Sequence, residues 1–186
     1  MNYIEEIKSH LKNNLSDNRY NHCLRVADEA RKLAIHYNID EESTYIAGLL
    51  HDIAKEYDKD KRKEIVDKYN LDNSLLDDNN DRIAHAKIGA IVAKELYQVN
   101  DDIYNAIKYH TFGNIKMNTL AKIIYIADKI EPGKTFIGID KQRKLAYKDL
   151  DLALIECINN SKIKLNNEGK DLNIETKKLL EYLLEK

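Results

Sequence analysis

Two carboxylates and three histidines fall at positions of this 186-residue sequence that helical periodicity turns inward. His110 follows Ile103, Ala106 and Ile107 by one or two turns, and His85 precedes Ile88 and Val92 in the same way. Asp128 closes the apolar run Ile123-Ile124-Tyr125-Ile126-Ala127. Asp52, next to His51, sits in the most apolar stretch of the chain, Ile46 to Ala54. An unpaired buried carboxylate costs several kcal/mol against a net stability of about 5 to 15 kcal/mol, so both acids need a compensating cation. Lys55, the basic residue nearest to Asp52 in sequence, can pair with only one of them at a time. A divalent cation held by carboxylate oxygen and imidazole nitrogen answers both. Gly48, one turn before Asp52, is expected to leave room on that face for a bulky ligand. His22 is a further candidate on a less clearly apolar face, whereas His10 and His36 sit among polar neighbours and read as solvated. A single inward histidine is more often a hydrogen-bonded core residue than a ligand, so the weight lies on the coincidence of five.

The elements that must hold these groups are helices, because one proline and six glycines leave little turn chemistry in the chain. Ile4, Ile7, Leu11 and Leu15 mark a first amphipathic helix. Tyr20 to Tyr37 give a second after the Ser16-Asp17 cap signal. A third is expected from Asp40 through Ala54, apolar nearly all round and therefore buried. Residues 58–69 read as a charged surface helix and 77–81 as an acidic loop with capping residues. Helices follow at 83–97, 102–110 and 119–130, the last stopped by Pro132-Gly133. After a loop at 133–140, the pattern predicts helices near 141–147, 150–167 and 174–185. No repeat or linker divides these segments, so the expectation is an all-α, single-domain helical bundle over 1–186.

Composition narrows the classes further. Thirty Lys and Arg against 32 Asp and Glu leave a formal charge of -2, which offers no electrostatic case for a nucleic-acid or membrane partner. Cys23 and Cys157 form no CxxC pair, which disfavours zinc ribbons and disulfide frameworks and fits a reducing cytoplasm. Met1 to Glu6 lack the basic and apolar regions of a signal peptide, and no apolar run approaches the roughly 18 residues of a membrane span. A homodimer stays open, since the Tyr and Ile residues that look exposed could serve one or complete the core.

In chain order the candidates are His22, His51-Asp52, His85, His110 and Asp128. This order resembles the H…HD…H…H…D pattern of the HD superfamily of metal-dependent phosphohydrolases. Longer matches, Arg19-Tyr20-Asn21-His22, Ala47 to Lys55 and Ala127 to Pro132 followed by Phe136-Ile137-Gly138, are similar to the bacterial YqeK family over nearly the whole chain. The resemblance implies an HD-type helical fold and a symmetrical diadenosine tetraphosphate hydrolase that yields two ADP. It implies that His22, His51, Asp52 and Asp128 bind iron, with manganese and zinc also compatible, as one or two ions. His85 and His110 then hold a second metal or the phosphates, and Asp52, His85 and His110 carry catalysis. Arg19, Thr111 and Lys134 are expected to contact the nucleotide, with Lys134 standing where the family commonly has arginine, and Lys55 joins them at the mouth on charge grounds.

Phosphoanhydride hydrolysis needs a nucleophilic oxygen at neutral pH and neutralised phosphoryl charge, which a cation in an open shell supplies. Protonated, His85 and His110 would add positive charge or donate a proton; neutral, they would bind a second ion. Two other readings compete: an HD-type hydrolase of another nucleotide, and a non-enzymatic nucleotide-binding module.

Overall fold

The computed structural model describes residues 3–77 and 80–186. Met1, Asn2, Asp78 and Asn79 lie outside the described residues, and with them part of the N-terminal stretch and of the acidic loop read above. The described chain is helical, with no strand among the described residues. Its helices are α1 (Tyr3–Asn14), α2 (Asp17–His36), α3 (Glu41–Leu50), α4 (Lys59–Lys68), α5 (Asp81–Tyr97), α6 (Asp101–Tyr109), α7 (Thr119–Ile130), α8 (Ile139–Ala146), α9 (Leu150–Asn167) and α10 (Ile174–Leu184).

Local chemistry sets these boundaries. Ser16, Asp40, Asn100 and Asn118 each accept a backbone N–H from the first turn of α2, α3, α6 and α7, the side-chain cap that such residues favour. α7 is the hub. It buries Leu120, Ala121, Ile123 to Ala127 and Ile130, and packs against α2, α3, α6, α8 and α9. The α2–α3 pair is the most extensive contact in the fold. Gly48 explains it, because a Cβ there would lie 2.6 Å from the Ala27 Cα. Gly48 therefore admits the α2 backbone rather than a ligand, which corrects the sequence reading.

A second correction concerns α3, which stops at Leu50 instead of continuing to Ala54. His51 to Glu56 form tight turns, with Ile53 N–H donating to Leu50 O (3.1 Å) and Lys55 N–H to Asp52 O (2.9 Å). The apolar run hides this end, since Ile53 and Ala54 are buried whether the chain is helical or not. His10 departs as well. It is half-buried with its ring edge-on to Tyr97, and burial, then the Lys61 charge, pulls its pKa down. His36 is exposed as expected. No described helix is long and apolar enough to cross a membrane.

Candidate metal and active site

Five helix ends or faces converge on one point. α2 brings His22, the turn after α3 brings His51 and Asp52, α5 brings His85, the end of α6 brings His110, and α7 brings Asp128. All four imidazoles and Asp52 are buried, and the Asp128 side chain is 15% exposed. His22, placed on an uncertain face by sequence, proves to be 5% exposed.

The outward nitrogens decide the tautomers. His51 Nδ1 lies 2.7 Å from Gly48 O, His110 Nδ1 2.7 Å from Ile107 O, and His85 Nδ1 2.8 Å from Asp81 O. His22 Nδ1 lies 3.2 Å from Glu131 Oε1. Carbonyl and carboxylate oxygens only accept, so each Nδ1–H donates and each Nε2 turns a lone pair to the centre. There it meets more acceptors. His22 Nε2 is 3.1 Å from Asp128 Oδ1, and His51 Nε2 is 3.3 Å from Asp52 Oδ2. Both nitrogens are buried without a hydrogen bond. On the other side, His85 Nε2 and His110 Nε2 are 3.2 Å apart and lie 3.4 and 3.5 Å from Asp52 Oδ1. The Thr111 hydroxyl reaches His110 Nε2 at 3.1 Å and His85 Nε2 at 3.4 Å.

Such facing lone pairs fit a divalent cation. Ligand atoms about 2.1 Å from one ion sit roughly 3.0 to 3.4 Å from one another, close to the separations found here. Two groups bring such atoms together, His22-His51-Asp52, where His22 Nε2 is 3.9 Å from Asp52 Oδ2, and Asp52-His85-His110, with Asp52 common to both. Its Oδ2 belongs to one and its Oδ1 to the other.

Without an ion the same contacts set the charges. Burial opposes ionisation of Asp52, yet the imidazoles of His51 and His110 hold its carboxyl well below the ordinary value. Burial opposes Asp128 too, and the Lys129 ammonium (2.6 Å) and His22 outweigh it. Burial pulls His51 down, but Asp52 and Asp128 leave it raised overall. His85 is pulled down to about 3 by burial, then by His110. It is neutral near pH 7.

The cationic rim is partly as read from the sequence. Arg19, one turn before His22, donates from Nη1 to Asp52 Oδ2 at 2.7 Å, and its Nε is buried without a partner. Lys55 does not pair with Asp52. Because it lies in the turn beyond α3, its ammonium points to α5, 3.5 Å from Asp81 Oδ2 and 3.2 Å from His85 Nδ1. Lys134 stays outside the cluster. Its backbone is held by Glu131 O and by Arg143, and no contact joins its side chain to the cluster among the described residues. Glu131 lies within the Ala127 to Pro132 match without a candidate role of its own, although it follows Asp128 at i+3.

A model of the HD domain family matches residues 19–133. The chain is 38% identical over 173 residues to the protein named symmetrical bis(5'-nucleosyl)-tetraphosphatase of Bacillus subtilis (strain 168), covering 92% of each. It is 43% identical over 145 residues to the protein of that name from Staphylococcus aureus (strain NCTC 8325 / PS 47), covering 77% of this chain and 74% of the other. A crystal structure described as a predicted HD superfamily hydrolase involved in NAD metabolism from Clostridium acetobutylicum superposes with a TM-score of 0.88. It is 39% identical and covers 98% of this chain and 97% of that one.

Proposed function

The chain belongs to the HD domain family, and on that premise we propose that it hydrolyses diadenosine tetraphosphate symmetrically, giving two ADP, from one domain spanning 1–186. The observation that carries the hydrolytic reading is the pair of ligand groups, His22-His51-Asp52 and Asp52-His85-His110, that share Asp52, with Asp128 Oδ1 3.1 Å from His22 Nε2 beside them. The names of the Bacillus and Staphylococcus relatives support the substrate. His22, His51, Asp52 and Asp128 would hold one cation, and Asp52, His85 and His110 a second, with iron favoured by the family resemblance. Bound there, the metal supplies a Lewis acid that activates water and polarises a phosphoryl oxygen.

The chain's own residues do the rest. The Arg19 side chain is 30% exposed while its Nη1 donates to Asp52, so the rest of its guanidinium can grip a phosphate oxygen while it orients the carboxylate. Thr111 offers a hydroxyl at the His85–His110 edge. Lys55, whose ammonium lies 3.5 Å from Asp81 Oδ2, adds positive charge toward a polyanionic bridge. His85, neutral near pH 7, is suited to a ligand role rather than to proton donation. In the reaction, water attacks one of the two central phosphorus atoms. The central P–O–P link breaks, one ADP leaves with the bridging oxygen, and the other keeps the oxygen from water.

Incubating the iron-loaded protein with diadenosine tetraphosphate and separating the products by chromatography tests this. Two ADP per substrate is expected. ATP plus AMP, or no turnover beside rapid hydrolysis of another nucleotide, overturns it. The description of the Clostridium structure favours a second reading, a dinucleotide with a shorter pyrophosphate bridge, and the same assay with NAD separates the two.

A further inference from the structure

Glu131 follows the last residue of α7 and is 2% exposed, a burial that a carboxylate survives only with strong partners. It has three. Arg25 donates from Nε to its Oε2 at 2.6 Å, the Gly133 N–H donates to the same oxygen at 2.5 Å, and the His22 Nδ1–H donates to Oε1 at 3.2 Å. Gly133 has no side chain where this clamp closes. A Cβ there would lie 2.7 Å from Arg25 Nε and 2.8 Å from Glu131 Oε2. The arrangement is therefore built around the carboxylate, and among the described residues its contact with the cluster is the imidazole of His22.

The other three histidines are supported differently, each through a backbone carbonyl. A carboxylate fixes an imidazole as a carbonyl does, and it also raises the basicity of the opposite nitrogen. We infer that Glu131 is a positioning residue that orients His22 and strengthens it as a ligand for one cation, leaving the His85–His110 position to carbonyl support alone. The inference rests on the two-cation reading proposed above. Its consequence is unequal affinity: losing the clamp loosens one ion and spares the other.

Competition of the cobalt-loaded protein against a chromophoric chelator, with cobalt counted per chain and its visible spectrum recorded, tests this. Wild type should hold two ions. Glu131→Gln keeps the shape but removes the charge, and should release one ion about 10- to 100-fold more readily while the second is unchanged. Gly133→Ala is the companion variant, since its added methyl meets the side-chain atoms of Arg25 and Glu131 that form the clamp; it should act in the same direction, and its thermal midpoint confirms that the fold persists. Glu131→Asp should restore part of the loss. Both ions held as in wild type by both variants, or both loosened equally, overturns the inference alone. A wild type that binds no cobalt overturns the metal reading and the inference with it.

Discussion

The two halves of the site are built from the same side chains but are supported in different ways. In the half made by His22, His51 and Asp128, one imidazole is backed by a clamped carboxylate, and both acids carry a cation, Arg19 on Asp52 and Lys129 on Asp128. In the half made by His85 and His110, both imidazoles lean on backbone carbonyls, and the neighbours are a hydroxyl and a lysine. The first half thus offers an ion two carboxylates and a carboxylate-backed imidazole, each acid balanced by a basic neighbour. The second is more neutral and borders the groups suited to phosphate. Asp52 is what they share, one oxygen to each.

Removing that shared residue should have the largest effect. Asp52→Ala is expected to abolish turnover and empty both positions while the fold persists, because the charge and its desolvation cost leave together. Elemental analysis, turnover and a thermal midpoint check it, and normal turnover would end the catalytic assignment. Next comes Arg19→Met, which removes a charged donor worth about 1.5 to 3 kcal/mol, so kcat/KM should fall about 10- to 100-fold with the metal content retained. Arg19→Lys should recover only part, since it keeps the charge and loses the fork.

The halves should also differ in their response to acid. His85 titrates at about 3 when folded against roughly 6.5 unfolded, so between these values the unfolded chain binds the proton first. Stability of the metal-free protein should therefore fall as pH drops below about 6.5, by up to about 1.4 kcal/mol per unit from this residue. His51, with a raised value, works in the opposite direction: its contribution is present below the unfolded value and is lost as pH rises through the folded one. Denaturant midpoints at pH 7, 6 and 5 should show a slope that His85→Leu flattens. An unchanged slope in that variant would contradict the asymmetry. The smallest effect belongs to Lys134→Ala, which should change kcat/KM less than about threefold, because only the backbone of Lys134 is held near the site. A loss as large as that of Arg19→Met would show that the loop folds over the substrate.

How much of this could be read in the sequence depended on whether the signal was local. α7 and α9 appear at the expected residues, 119–130 and 150–167, because Asn118 and Asp149 cap them and the apolar spacing runs uninterrupted between. Five of the six candidate residues stood out because each breaks an apolar pattern, whereas His22 rested on its place in the H…HD…H…H…D order. The errors arose where partners came from other elements. Gly48 looks the same whether it admits a ligand or a helix, and only the position of Ala27 decides. The end of α3 was invisible because Ile53 and Ala54 are buried in the turn as they would be in a helix. The partner of Lys55 followed from that error, since a residue in a turn points elsewhere than one in a helix. Glu131 was missed because its importance comes from Arg25 and Gly133, neither of which stands out alone.

The most direct test of the two-half account is to count bound metal in three proteins loaded and desalted in parallel: wild type, His22→Ala and His110→Ala. The account predicts two ions per chain in the wild type and one in each variant, with the ion left in His110→Ala held more tightly than that left in His22→Ala. One ion in the wild type that both variants lose, or no ion at all, would contradict it.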